Sequence, residues 1–244
     1  MFSIKNRSDN STFSAIGSKV PGFSPVCLVR HDSSPEASKD LLKRFFTALE
    51  DAHILMMQNL PAYFQEAETK LDDLIESGLK FNDKAQLFTW RSFIRNYTKL
   101  SVYGFNSAKF DIPAMAGTFF TIGEEHFAND VSALKRGSSY LSVGFSEIIF
   151  KDILMLSSPC SLSKYLKTWG VKEQKSIFPH GHYGSVEEMA ADTEFPDKNK
   201  FYSSLSGSGV SDIDYGIARD EFYRRKNLDK HHADKISNML DWLK

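Results

Sequence analysis

The sequence predicts an α/β fold, and three observations carry the prediction. β-prone runs open the chain, three stretches with helical apolar spacing follow, and a run over residues 100–105 returns the pattern to strands. The chain has 244 residues, 41% of them hydrophobic and 20 of them Phe, which is enough apolar material for a packed core and excludes global disorder. Formal net charge is −1, so the basic excess common in nucleic-acid binders is missing, although a local basic groove remains compatible with that charge.

Taken in order, residues 1–30 read as extended, with short strands over 14–20 and 26–30 separated by a Pro21-Gly22 turn. Ser34-Pro35-Glu36 opens a helix, since Pro suits the first helical position. Leu41, Leu42, Phe45, Phe46, Leu49 and Ile54 recur at helical spacing, which predicts one buried face. A second amphipathic stretch runs over 60–79 with Tyr63, Phe64, Leu71, Leu74 and Ile75 apolar, and a third over 83–97. Residues 100–105 (LSVYGF) read as a strand, followed by a short helix from Phe110 or Pro113. Residues 139–156 are rich in β-formers, with Gly144 marking a hairpin or bulge. Ser161 or Ser163 caps a helix that runs through Trp169 and stops at Gly170. Residues 178–209 have little periodicity and read as an extended arm, with SGSG at 206–209 as a flexible connector. Ser211 and Asp214 form a capping-box pattern for a helix to about Arg225, and a last helix covers about 230–243.

The chemistry concentrates in Val102-Tyr103-Gly104-Phe105-Asn106-Ser107-Ala108-Lys109-Phe110-Asp111. An apolar strand delivers Asn106 and then Asp111 at its polar end, and strand ends of α/β sheets are where side chains converge on ligands. A carboxylate there can hold Mg²⁺, a hard ion that prefers oxygen, and two such ions can activate water for phosphodiester cleavage. Asn106 can donate to a phosphate or base edge, and Phe110 can pack on a base. The same residues also read as a plain strand-to-helix turn, in which Asn or Asp serves only as a cap.

The segment GFNSAKFDIP resembles the second exonuclease motif of family B DNA polymerases, in the protein-primed version of phages, linear plasmids, viruses and large transposons. That resemblance implies a ribonuclease-H-like fold with a helical insertion over 60–97, and a 3′–5′ proofreading exonuclease that uses Mg²⁺ or Mn²⁺. It implies that Asp111 is the catalytic metal ligand, and that Asn106 and Phe110 contact the single-stranded 3′ end. Phe150-Lys151-Asp152-Ile153-Leu154 is similar to the strand lining the single-strand channel, with Leu154 the matching contact and Ile153 standing where the family often has Ser or Thr. Gln174-Lys175-Ser176-Ile177-Phe178-Pro179 resembles a segment whose Lys assists the exonuclease site, which implies a catalytic role for Lys175. The stretches 20–23, 162–170, 211–215 and 239–242 resemble further parts of the same region, in the family's order. The implied partners are single-stranded and primer-template DNA, with a terminal priming protein.

The family's first motif, Asp-x-Glu, does not occur before Val20-Pro21-Gly22-Phe23, and its third, Tyr with Asp four residues later, belongs where the sequence ends. The expectation is therefore a fragment of the exonuclease domain, inactive alone, with exposed strand edges. The alternative is a non-catalytic single-stranded-DNA-binding or domesticated remnant of the same fold. A third reading is an unrelated interaction module whose NSAKFD turn is only a cap. Other signals are weaker. His180-Gly181-His182 and His231-His232 have no neighbouring Cys or carboxylate set to complete a zinc site. Arg224, Arg225 and Lys226 sit in a mixed-charge run that reads as a solvated helix face, with phosphate contact as the other option. Trp169 reads as core. Cys27 and Cys160 lack metal-site spacing, the opening MFSIKNRSDNSTF has no apolar signal core, and no apolar run is long enough for a membrane span, so a soluble intracellular protein is expected.

Overall fold

The computed structural model describes residues 3–6, 13–18, 26–77, 81–128, 130–171, 177–179, 181–203, 207–232 and 234–243. The architecture is α/β. The chain divides into two compact units, Leu42–Asp152 and Met1–Leu41 with Ile153–Lys244.

The second of these begins with strands β1 (Ser3–Asn6), β2 (Phe13–Ser18) and β3 (Val26–Val29), which form an antiparallel sheet in that order. The Pro21-Gly22 turn lies outside the described residues. Helix α1 (Pro35–Gln58) starts where the sequence predicts, with the Ser34 hydroxyl accepting from the Ala37 amide at 3.1 Å.

Within Leu42–Asp152, α1 buries Leu42, Phe45, Phe46 and Leu49, while Ile54 at the far end of the stripe is exposed. Helices α2 (Ala62–Glu76) and α3 (Phe81–Thr98) fall where the second and third helical stretches were expected. Arg91 pairs with Asp72 at 2.7 Å, Arg95 with Glu68 at 3.3 Å, and the rings of Phe64 and Tyr97 stack at 5.0 Å. No described residue of α2 is fully buried. Strand β4 (Leu100–Gly104) leads into α4 (Asp111–His126), much longer than the short helix expected. Strands β5 (Val131–Arg136), β6 (Ser139–Phe145) and β7 (Ile148–Asp152) complete a mixed four-stranded sheet of order β4-β7-β6-β5. β4 runs parallel to β7, in register from Leu100↔Ile148 to Gly104↔Asp152, and the other pairs are antiparallel. β4 and β5 therefore stand at the edges of this sheet among the described residues.

Phe46 is fully buried against Phe119, Phe127, Phe145 and Phe150, with ring centroids 5.4–6.4 Å apart. Gly123 lets α4 approach β6, because a Cβ there would overlap the Phe145 ring. The β6–β7 turn falls at Ser146, which takes a positive φ of 44°, and the register shift lies at Leu134/Lys135 on β5. Gly144, expected as hairpin or bulge, sits inside β6 instead, where a Cβ would meet the Ser132 hydroxyl at 2.6 Å.

The remaining unit continues with a 3₁₀ turn, Ile153–Leu156, then α5 (Leu162–Thr168), α6 (Val186–Ala191), a second 3₁₀ turn, Lys198–Phe201, α7 (Asp212–Lys226) and α8 (Met239–Leu243). Ser161 caps α5 through the Lys164 amide, and Gly170 takes a φ of 66° beyond its end. Trp169, expected in a core, is 68% exposed. Residues 178–209 are not the extended arm expected. They hold α6 and the second 3₁₀ turn and supply Tyr183, Val186, Met189, Phe195 and Phe201 to a core completed by Phe222, Met239 and Trp242. Scattered aromatics hold this segment, so no period marks it. At α7 the Ser211 hydroxyl accepts from the Asp214 amide at 3.1 Å and donates to the Asp214 carboxylate at 2.7 Å. The last helix is shorter than expected: turns occupy the described residues before it, and Asn238 starts it by accepting from the Asp241 amide at 2.9 Å. Among the described residues no helix is long and apolar enough to cross a membrane.

Candidate functional site

The parallel register of β4 and β7 brings two sequence-distant strand ends to the same end of the sheet, with Gly104 opposite Asp152. The chain leaves β4 through Phe105 and enters a tight turn at Asn106, which adopts a left-handed φ of 59°. Asn tolerates that region better than most residues. The Asn106 carbonyl accepts from the amides of Lys109 and Phe110 at 3.4 and 3.3 Å, and the Ser107 carbonyl accepts from the Ile112 amide at 3.0 Å. The turn therefore feeds directly into α4.

Three hydrogen bonds from β7 and β6 hold this turn. The Asp152 carboxylate accepts the Asn106 amide at 2.8 Å and the Ala108 amide at 3.1 Å. The Tyr140 amide, near the start of β6, donates to the Ala108 carbonyl at 3.0 Å. Asp152 is 5% exposed, and Ser107 is fully buried with no partner for its hydroxyl among the described residues.

Asp111 occupies the first turn of α4, where a negative charge is favoured by the helix N-terminus. Burial works against that charge and dominates: together with the nearby Asp152 carboxylate it pushes the Asp111 carboxyl up to about 6. Phe110 precedes the helix with no side-chain cap bond, and its ring is 63% exposed. Neither Asn106 nor Asp111 thus occupies the capping position that the plain-turn reading assigns. The turn presents a half-buried amide side chain, an exposed ring and a half-buried acid within six consecutive residues.

Of the predicted site residues, Asn106, Phe110 and Asp111 lie on this one turn. Leu154 is half-buried in the 3₁₀ turn two residues beyond Asp152, and its carbonyl accepts from the Ser157 amide at 3.3 Å. Lys175 and His180 lie outside the described residues. The basic triplet is engaged internally. Arg224 pairs with Glu221 at 2.6 Å, Arg225 donates to the Asp234 carbonyl at 2.9 Å, and Lys226 reaches Glu194 at 2.6 Å.

No family model, curated protein or solved structure matches this chain.

A two-ion centre needs several carboxylates to offset the ion charges. Asp111 offers one, and both oxygens of Asp152 already accept backbone amides. No group of three or more His, Cys, Asp or Glu placed to hold an ion occurs among the described residues. The described donors therefore do not compose a two-ion site, and no hydrolytic step is assigned to them. Sequence reasoning left Asp152 without a role. The available signal was an acid closing an apolar strand.

Proposed function

We propose that this chain carries the single-strand-binding turn of a 3′–5′ exonuclease region, of the kind found in protein-primed family B DNA polymerases. The observation that carries the reading is Phe110, an exposed ring on a hydrogen-bonded turn between Asn106 and Asp111 at the carboxyl end of a parallel strand pair. An exposed ring next to an amide side chain suits an unpaired nucleotide, which offers a stacking face and polar edges. In this reading Asn106 and Phe110 position the 3′ end, with Asp111 beside them on the same turn. The ribonuclease-H-like fold belongs to the same proposal. Its support is a mixed sheet with the Asn106–Asp111 turn leaving the end of a parallel strand.

Fluorescence anisotropy with a labelled oligothymidylate tests the reading. Binding should weaken as salt rises, because phosphate contacts release counterions. Phe110→Ala should weaken it by roughly tenfold, the order expected for loss of one stacked base. Salt-independent binding, or binding that ignores Phe110→Ala, overturns the proposal.

A further inference from the structure

Resting on that reading of the turn, we propose that Asp152 is its positioning residue: the carboxylate holds the 106–108 backbone in the conformation that presents Asn106 and Phe110 together. Asp152 closes β7, 46 and 44 residues from the two amides it binds. Those amides belong to a connection, and connections usually turn their polar groups to water. Here one side chain of a neighbouring strand takes both, while the Tyr140 amide fixes the Ala108 carbonyl from β6. Ala108 is thereby held at both its N–H and its C=O, and Asn106 is held at the residue with the positive φ. Phe110 and Asp111 follow two and three residues after the fixed point, so their directions depend on it.

A carboxylate suits this task and an amide does not. Both oxygens of Asp accept, whereas Asn would turn an NH₂ donor against one of the two backbone N–H groups. Asp152→Asn is therefore nearly isosteric and breaks one bond of the pair. It separates the positioning role from the volume of the side chain.

The test uses the whole chain, ¹⁵N-labelled, with amide exchange and oligothymidylate binding measured side by side. In the wild type, the amides of Asn106 and Ala108 should exchange as slowly as those of β4. In Asp152→Asn, at least one of the two, the amide left facing the new NH₂ group, should exchange at least tenfold faster while the β4 amides hold their rates. The dissociation constant for oligothymidylate should rise by about the same factor as in Asn106→Ala. The double variant should bind no more weakly than either single variant, as expected for groups acting through one contact. Unchanged exchange at both amides, or losses of affinity that add in the double variant, overturn the proposal. Should Asp152→Asn fail to fold, wild-type exchange decides, since loop-like rates at Asn106 and Ala108 also overturn it. A wild-type chain that binds no oligonucleotide overturns the DNA reading instead, and the exchange rates alone then decide whether Asp152 holds the turn.

Discussion

Asp111→Asn should make this protein more stable at neutral pH, and the size of the effect follows from where the acid sits. An Asp carboxyl ordinarily titrates at 3.8, and burial beside Asp152 raises Asp111 to about 6. The folded state thus binds the proton more tightly than the unfolded chain does. Above about pH 6 the group is ionised in both states, and the folded state carries the whole cost of holding a poorly hydrated charge. As pH falls from 6 towards 3.8 the folded state takes up the proton first and the cost fades. Below 3.8 it is gone. The gap between 3.8 and about 6 converts, at about 1.4 kcal/mol per pH unit, to a ceiling of about 3 kcal/mol. Asp111 is only half-buried, and water screens part of that, so about 1–3 kcal/mol is the expected range. Urea denaturation of both forms at pH 7.5 and pH 4 measures it. Asn at 111 should raise the midpoint at pH 7.5 and give almost no gain at pH 4. A variant that is less stable at pH 7.5, or one equally stabilised at both pH values, would refute the reasoning. The first result would mean that Asp111 makes favourable contacts as an anion. The second would mean that packing, not charge, separates the two side chains.

Two further outcomes follow from other parts of the molecule. Phe46→Ala should cost about 3–5 kcal/mol in denaturant unfolding, because the fully buried ring meets Phe119, Phe127, Phe145 and Phe150 and no neighbour is free to fill the space; a loss below about 1 kcal/mol would show that this core can collapse around the gap. Glu187 accepts from the Ser33 hydroxyl and amide at 2.5 and 2.8 Å, and these bonds hold its carboxyl down at about 2. Its contribution is present above the ordinary value of 4.5 and is lost as pH falls through about 2, so Glu187→Gln should lower the melting temperature at pH 7 and the gap should narrow below pH 4. The residue is solvent-exposed, which limits the loss to about 1 kcal/mol or less. A gap that widens on acidification would contradict this account.

The parts of the fold legible in the sequence are those set by local rules. Ser34-Pro35-Glu36 placed the start of α1, Ser161 and Gly170 bracketed α5, and the apolar run at 100–105 gave β4. Each depends on residues within a few positions of one another. β5 escaped because Val131–Arg136 is exposed along almost its whole length and shows no burial alternation. The second core escaped for a different reason. Tyr183, Phe195 and Phe201 are spaced by turns and very short helices, so their burial follows no period, and only α7 and α8 make them interior. The candidate turn was legible as a strand end bearing Asn, Phe and Asp. Its partner strand was not, because β4 and β7 pair across more than forty residues.

Asp111 and Asp152 show where that limit falls. Each follows an apolar strand, and each would be marked by the same local rule as a candidate ligand. The structure gives them opposite tasks. Asp152 turns inward and its oxygens accept two amides from a remote segment, so its charge is compensated where it lies. Asp111 begins α4 three residues beyond Ala108, and burial together with the other carboxylate resists its charge. A carboxylate resisted by its surroundings is the one that gains most from a cation or a proton. The difference depends on which backbone amides reach which oxygen, and that is set by the parallel register of β4 and β7 and not by any residue adjacent to either acid.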